Sequence, residues 1–367
     1  MHSVALTGDV MLGRGIDQIL PHPGDPAIHE CHARSALTYL ALAERRNGPI
    51  RRPAGFAYVW GDALPALRSA AIRIVNLETS VTTSDSPEAK GIHYRMHPDN
   101  IGCLRAAGIE CCVLANNHVL DWGRGGLLQT LGTLAQAGIA TAGAGRNAAQ
   151  AEQPAVMPLS AGGRLLVLAA GTTSSGIPAG WAATATQPGV HLLQEPLSAA
   201  VPRLATLLRA AKRSGDIAVA SIHWGPNWGY DIPRELRDAA HALIDEAGFD
   251  VVHGHSSHHP LGIEVHRNRL ILYGAGDFIN DYEGIEGYEE FRGDLTLLYL
   301  PRLSAATGEL LGLTLVPFRI GRFRLNRASA ADAGWLRDTL DRESLRFGTR
   351  IGMAADGTLD AAWRGAA

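Results

Sequence analysis

Short apolar runs alternate with amphipathic stretches through the first two thirds of the chain. VALT (Val4–Thr7), IRIVNL (Ile72–Leu77), ECCVLA (Glu110–Ala115), LLVLAA (Leu165–Ala170), IAVASI (Ile217–Ile222) and Phe249–Val252 read as strands. They are near-continuous apolar runs rather than apolar/polar alternations, the pattern of strands covered on both faces. Between them, Pro98–Ala107, Gly125–Ala137, Leu197–Arg213 and Arg234–Ala247 read as helices, stopped by Gly108, Gly138, Gly215 and Gly248. Such alternation predicts an α/β fold with a largely parallel sheet covered on both faces.

After Gly262 the pattern changes. Ile263–Val265 and Leu270–Gly274 flank Arg267-Asn268, and Asp294–Leu300 and Leu310–Val316 flank Thr307-Gly308, so antiparallel hairpins are expected there. Ala331–Phe347 reads as a helix, and Asp356-Gly357 marks a last hairpin. In the stretch from Pro21 to Pro65 only Ala36–Ala43 reads as helical. The expected organisation is one domain over residues 1–300, with 20–65 as a cap or insertion. Residues 301–367 would form a hairpin-and-helix extension packed on it.

Composition narrows the function. The 367 residues are 46% hydrophobic and 19% charged, which fits a globular chain. A net charge of −3 gives no basic excess for nucleic acid or an anionic membrane. No apolar run approaches the roughly 18 residues of a membrane span, and MHSVALTGD lacks the features of a signal peptide. Cys31, Cys103, Cys111 and Cys112 contain no CxxC pair, which suggests reduced, buried thiols in a cytoplasmic protein. Nearly half of the 15 histidines fall between His223 and His266, a first hint of a metal site.

The positions of the polar residues are more informative. Asp9 follows the first strand; Asn76 and Glu78 end the second; Asn116, Asn117 and His118 end the third. His223 ends IAVASI, and His253 and His255 follow DVV. Ligands of open parallel sheets bind at the carboxyl ends of the strands. Singly, each residue has a plainer role: a turn cap, a left-handed Asn, a core histidine. Together, Asp9, Glu78, Asn117, His223, His253 and His255 make a mixed O/N donor set suited to one or two divalent ions of Mn, Fe or Zn. Arg14, or Arg95 in the loop that also carries Tyr94 and His97, can hold an anionic group or form a surface ion pair. Trp224, Trp228 and Tyr230 can wall a pocket or cover the sheet edge, and Asp277 and Asp281 can orient histidines or shape a turn.

GDVMLGR, NLE, the NNH of LANNHVLDWG, HWG, GHSSHHP and the GDF of YGAGDFINDY occur in the order found in the CapA (poly-γ-glutamate synthesis) family. That family resembles the calcineurin-like metallophosphoesterases. The resemblance spans about Val4 to Tyr282. It implies a four-layer α/β/β/α sandwich with a metal site at its edge. It also implies metal ligation by Asp9, Glu78, Asn117, His223 and His255, a general-acid role for His118, and His258 as the second histidine of GHxxH. The chain departs from the superfamily pattern where Met11 replaces the DxH histidine and NLE replaces GDxxD.

The leading expectation is a metal-dependent hydrolase of a phosphoester or related polar bond. Its substrate would be an anionic small molecule, a peptide or polyglutamate. Two alternatives stand beside it. One is a metal-free enzyme in which Asp9 and His118 or His258 act as acid and base on a peptide or glutamyl substrate, by amide-bond chemistry or Cα epimerisation. The other is a non-catalytic polymer-binding module.

Overall fold

The computed structural model describes residues 1–160 and 162–364. The chain builds two large sheets, beside two small two-stranded ones, and visits the large pair in the order first, second, first. In the first visit β1 (His2–Val10), β2 (Ile72–Leu77), β3 (Cys111–Val113) and β4 (Ala140–Ala142) pair in parallel. The second sheet comes next: β5 (Ala155–Pro158), β6 (Arg164–Gly171), β7 (Ile217–His223), β8 (Val251–His255), β9 (Ile263–His266) and β10 (Arg269–Leu272). Its spatial order is β9-β10-β8-β7-β6-β5, with β6, β7, β8 and β10 parallel and the two edge strands antiparallel. The chain then returns to the first sheet. β11 (Asp277–Ile279) pairs in parallel with β1. The antiparallel β12 (Leu295–Leu303), β13 (Leu310–Ile320), β14 (Leu325–Arg327), β15 (Thr349–Met353) and β16 (Leu359–Trp363) complete ten strands.

The two sheets face each other across one apolar core. Val4 and Leu6 of β1, Ile72 and Ile74 of β2, and Leu165, Val167 and Ala169 of β6 all point into it. The intervening residues point the other way. Ala5 and Val75 meet a core that includes Leu127, Leu131 and Leu134 of α1 (Gly123–Gln136). Leu166, Leu168 and Ala170 meet α2 (Leu197–Ala211) and α3 (Arg234–Asp245), whose Leu204, Leu208, Ala240 and Leu243 cover the second sheet. The result is the four-layer α/β/β/α sandwich. The apolar pattern alone pointed to a single sheet. A strand covered by a helix on one face and a second sheet on the other reads the same as one covered by two helices. Residue pattern therefore reported the burial and not the number of sheets.

Several local expectations shift. The adjacent Cys111 and Cys112 point into the inner and outer cores of the first sheet, as pleating requires. Cys103 is also buried, but Cys31 is exposed, against the expectation of four buried thiols. The strand expected at Phe249–Val252 starts at Val251 and runs on through His255, because β7 pairs Ser221 with His253 and His223 with His255. The hairpin turn at Arg267-Asn268 has positive φ at both residues (48° and 60°), the geometry that matches strand twist. Residues 20–65 hold the helix Leu37–Asn47 and bury Leu20, Leu40, Ile50, Val59 and Trp60 over the outer face of the first sheet. Beyond residue 300, α4 (Ala330–Leu345) inserts Leu336 and Leu340 into the inter-sheet core, and β15 and β16 close the sheet. The last three residues of that expected extension lie outside the described residues. Among the described residues no helix is long and apolar enough to cross a membrane.

One close approach sets the place of Asp9. Gly8 packs so tightly on the β10–β11 connection that a Cβ there would lie 1.6 Å from the Gly276 carbonyl oxygen. That contact lets the Asp9 amide donate to Gly276 O at 3.0 Å and brings Asp9 into register with Asp277. Gly8→Ala is expected to cost about 3 kcal/mol or more, since backbone, not a flexible side chain, must yield. Gly132→Ala, in α1 with open space around the new methyl, is expected to stabilise by about 1 kcal/mol. Thermal denaturation of the two variants beside wild type checks both signs.

Candidate metal centre

The carboxyl ends of β1 and β2 and the segment after β3 meet the carboxyl ends of β7 and β8 where the two sheets adjoin. The chemistry-bearing residues therefore come to a seam between two sheets, not to the edge of one. Asp9, Asn76 and Glu78 arrive from the first sheet, and His223 and His255 from the second; all five are buried. Asn117, partly buried, completes the group from the loop after β3.

The hydrogen bonds fix these groups tightly. Asn76 Nδ2 donates to Asp9 Oδ1 at 2.7 Å and to Glu78 Oε2 at 3.1 Å. Asn116 Nδ2 donates to Asn76 Oδ1 at 3.0 Å and so sets the orientation of that amide. His223 Nδ1 lies 2.8 Å from His255 Nδ1, and His223 Nε2 lies 3.1 Å from Asn117 Oδ1. Donor atoms of Asp9, His223 and His255 all lie within 4.8 Å of one another. Asp9 also belongs to a second group of that size with His258 and Asp277. There His258 Nδ1 lies 2.8 Å from Asp277 Oδ1, and Asn280 Nδ2 donates to Asp277 Oδ2 at 2.7 Å.

Burial dominates the electrostatics. It pushes the Asp9 carboxyl up to about 7, aided by the charge of Asp277. It raises Glu78 well above the ordinary carboxylate range, with Asp9 adding to the effect. Burial also drives His223 and His255 well below the usual imidazole value. For His258 burial acts downward, but the adjacent Asp277 outweighs it and the ring is raised. These groups fit a divalent ion. Asp9 Oδ2 is buried with no hydrogen-bond partner, two imidazole nitrogens crowd one point, and the Asp9 and Glu78 carboxyls sit in low dielectric with no lysine or arginine paired to them among the described residues. Each is costly without an ion and favourable with one.

His118 stands beside this group. Its Nδ1 lies 2.7 Å from Asp121 Oδ2, and its Nε2 faces Glu78 Oε1 at 3.8 Å. Lys90 Nζ donates to Asp121 Oδ1 at 2.7 Å, and the Tyr94 ring packs edge-on against His118 with centroids 4.5 Å apart. Burial, opposed by Asp121, lowers His118 to about 4.

The structure does not bring every expected residue to the cluster. His253 has both ring nitrogens engaged elsewhere: Nε2 lies 2.9 Å from Thr7 O and Nδ1 3.0 Å from Ser221 Oγ. Arg14 is buried between Asp281 and Glu30, under the rings of Tyr39 and Tyr94, so its charge is matched from within. Arg95 stacks on Trp122 and binds Asp85 and the Ser84 and Asp25 carbonyls. His97 Nδ1 accepts from the Asp99 amide and caps a short helix. Trp224 lies in the core under α3, its indole donating to Tyr273 O. Trp228, in the same stretch, does reach the site, stacked on Tyr288 at 4.1 Å and 5.2 Å from the His258 ring. Met11, at the position where the sequence resemblance implies a histidine in related enzymes, receives the Tyr282 hydroxyl at 3.5 Å. Sequence reasoning placed Asn76 at a strand end without a role, and it missed Ser221, Asp121 and Lys90. Asp121, three residues after His118, had a usable spacing; Lys90, in a loop, had none.

A further cluster of His241, Glu264 and His266 also brings donors within 4.8 Å. Its two rings stack 4.0 Å apart and 8° from parallel. Imidazole lone pairs lie in the ring planes, so these two cannot meet at one ion. Each ring faces its own carboxylate, His241 to Glu264 at 2.9 Å and His266 to Asp245 at 3.0 Å.

Fold and site together define an α/β/β/α sandwich protein with a buried O/N donor cluster where its sheets meet. The chain belongs to the family described as bacterial capsule synthesis protein PGA_cap, whose sequence profile matches residues 3–282. It is 47% identical over 362 residues to a probable polyglutamine synthesis accessory protein of Mycobacterium tuberculosis, covering 98% of this chain and 95% of that one. It is 27% identical over 281 residues to the PGA biosynthesis protein CapA of Bacillus subtilis, covering 76% and 63%. A phosphatase structure from Mycoplasma pneumoniae superposes with a TM-score of 0.46 at 12% identity, over 87% of this chain and 95% of that one.

The raised Asp9 value bears on stability. Between its ordinary 3.8 and about 7, the folded chain keeps a proton that the unfolded chain has released. Stability contributed by that proton is complete below about pH 4 and lost as pH rises to about 7. Buried histidines with lowered values, His118, His223 and His255 among them, act in the opposite sense over the same range, so the readout is a difference: in chelator, raising the pH from 5 to 7.5 should lower the melting temperature of wild type relative to that of Asp9→Asn. Thermal melts across that range check the sign.

Proposed function

We propose that the chain is a metal-dependent hydrolase of the capsule synthesis family, acting on a phosphoester or related polar bond of an anionic small molecule, a peptide or polyglutamate. The observation that carries this reading is the buried convergence of Asp9, His223 and His255, with Glu78 joined to it through Asn76 and the partly buried Asn117 through His223, and with Asp9 Oδ2 left unpartnered. The mixed carboxylate, amide and imidazole set suits Mn, Fe or Zn. One ion would sit among these five groups, and a second would share Asp9 with His258 and Asp277. A bound ion would supply Lewis acidity and a water of lowered pKa.

The chain's own residues supply the rest. Asp121 accepts a hydrogen bond from His118 Nδ1–H, so the neutral ring presents a bare Nε2 toward Glu78 and the site. That atom takes a proton from, or returns one to, the reacting group. Lys90 and the Tyr94 amide hold Asp121 in place. Asn76 and Asn116 hold the carboxylates.

A second reading has its own support. Asp9, raised to about 7, and His258, raised by Asp277, are two proton carriers in one buried group. That pair is what metal-free chemistry on a peptide or glutamyl substrate requires. Assay of the chelated and re-loaded protein on bis(p-nitrophenyl) phosphate and γ-glutamyl substrates separates the two. The hydrolase reading expects turnover only after loading, reduced about 10²–10⁴-fold in His118→Asn. Turnover that survives chelation, with deuterium entering the product from heavy water, overturns it in favour of Cα epimerisation.

A further inference from the structure

His253 and Ser221 lie fully buried behind the cluster and contribute no donor to it. Their hydrogen bonds nonetheless run in one direction. Thr7 O lies 2.9 Å from His253 Nε2, and a carbonyl can only accept, so that nitrogen carries the proton. The carbonyl is open to a side chain because the β1–β2 register is broken between Leu6 and Asp9. A neutral His253 then has a bare Nδ1, 3.0 Å from Ser221 Oγ, and the serine must donate to it. A hydroxyl has one proton. Ser221 Oγ, 3.1 Å from His255 Nε2, is left to accept, so His255 Nε2 carries the proton. The remaining nitrogen, His255 Nδ1, is the atom that lies 2.8 Å from His223 Nδ1 in the cluster. Among the described residues no carboxylate pairs with His253, whose ring nitrogens meet only the Thr7 carbonyl and the Ser221 hydroxyl, so nothing there holds a second proton on the ring.

The structure assigns Ser221 and His253 as positioning residues: with the Thr7 carbonyl they form a relay that locks His255 in the Nε2–H tautomer and delivers a bare Nδ1 to the metal cluster. His253, a ligand by its place in the sequence, acts here through two other residues. The relay also ties the sheets together, since Thr7 belongs to β1 and the other three residues to β7 and β8. A ligand histidine whose other nitrogen is held by a hydrogen bond is the usual device for setting tautomer and ring angle at a metal.

Long-range proton–nitrogen correlation spectra of the metal-free, 15N-histidine-labelled full chain read these tautomers directly. His255 is expected as Nε2–H with Nδ1 bare; a His255 protonated on Nδ1 alone overturns the relay. Ser221→Ala removes the middle link. His255 should then populate both tautomers, and Zn²⁺ affinity by calorimetric titration should fall about 10–100-fold. Ser221→Thr, which keeps the hydroxyl, should restore the single tautomer. An unchanged tautomer and affinity in Ser221→Ala contradicts the assignment, and the wild-type spectrum decides the matter even if that variant does not fold. The link to metal rests on the proposed hydrolase function. A wild-type chain with the stated tautomer that takes up no Zn²⁺ sinks that function and supports the relay.

Discussion

Asp9, Glu78 and Asp277 are carboxyl groups buried at the seam between the sheets, and much of the surrounding structure answers to the cost of keeping them there. An unpaired charge in such a place is worth several kcal/mol against folding. The chain does not neutralise Asp9 and Glu78 with a lysine or arginine. It surrounds them with amide donors from Asn76 and neutral imidazoles from the second sheet. The nearby arginine, Arg14, is itself consumed by Asp281 and Glu30. That leaves a desolvated pocket of convergent oxygen and nitrogen lone pairs, whose carboxyls a divalent cation would draw into the charged form.

The same constraint explains details that look local. Gly8 has no side chain because the backbone around Gly276 must come close enough to align Asp9 with Asp277. The register break in β1 releases the Thr7 carbonyl toward His253. Asp121 is three residues from His118 because that spacing lets it hold Nδ1 while Nε2 faces the site. Each feature trades backbone regularity for the placement of one polar atom.

Most strands were legible because burial on both faces writes a continuous apolar run, and the ligand types were legible because they fall at strand ends. The seam was not. Whether Val167 faces a helix or another sheet leaves no mark on its identity, so the pattern could not divide the strands between two sheets. Nor could it tell His253 from His255. Two residues apart in one strand, they share a face, and only the partners Thr7 and Ser221, distant in sequence, separate them. Arg14 and Arg95 failed as readable anion sites for a related reason: their carboxylate and carbonyl partners lie on other elements. Membership of the capsule synthesis family gives the chain relatives named for polyglutamine synthesis and PGA biosynthesis, while the reaction must be argued from the seam itself.

The chemistry proposed for the seam requires that it hold an ion, and elemental analysis tests that most directly. The full chain, purified without chelator, is compared with His223→Ala. One or two equivalents of Mn, Fe or Zn in the wild type, lost in the variant, is the predicted result. No metal in either protein, even after incubation with the three metal salts, would contradict it and leave Asp9 and His258 as a metal-free acid–base pair.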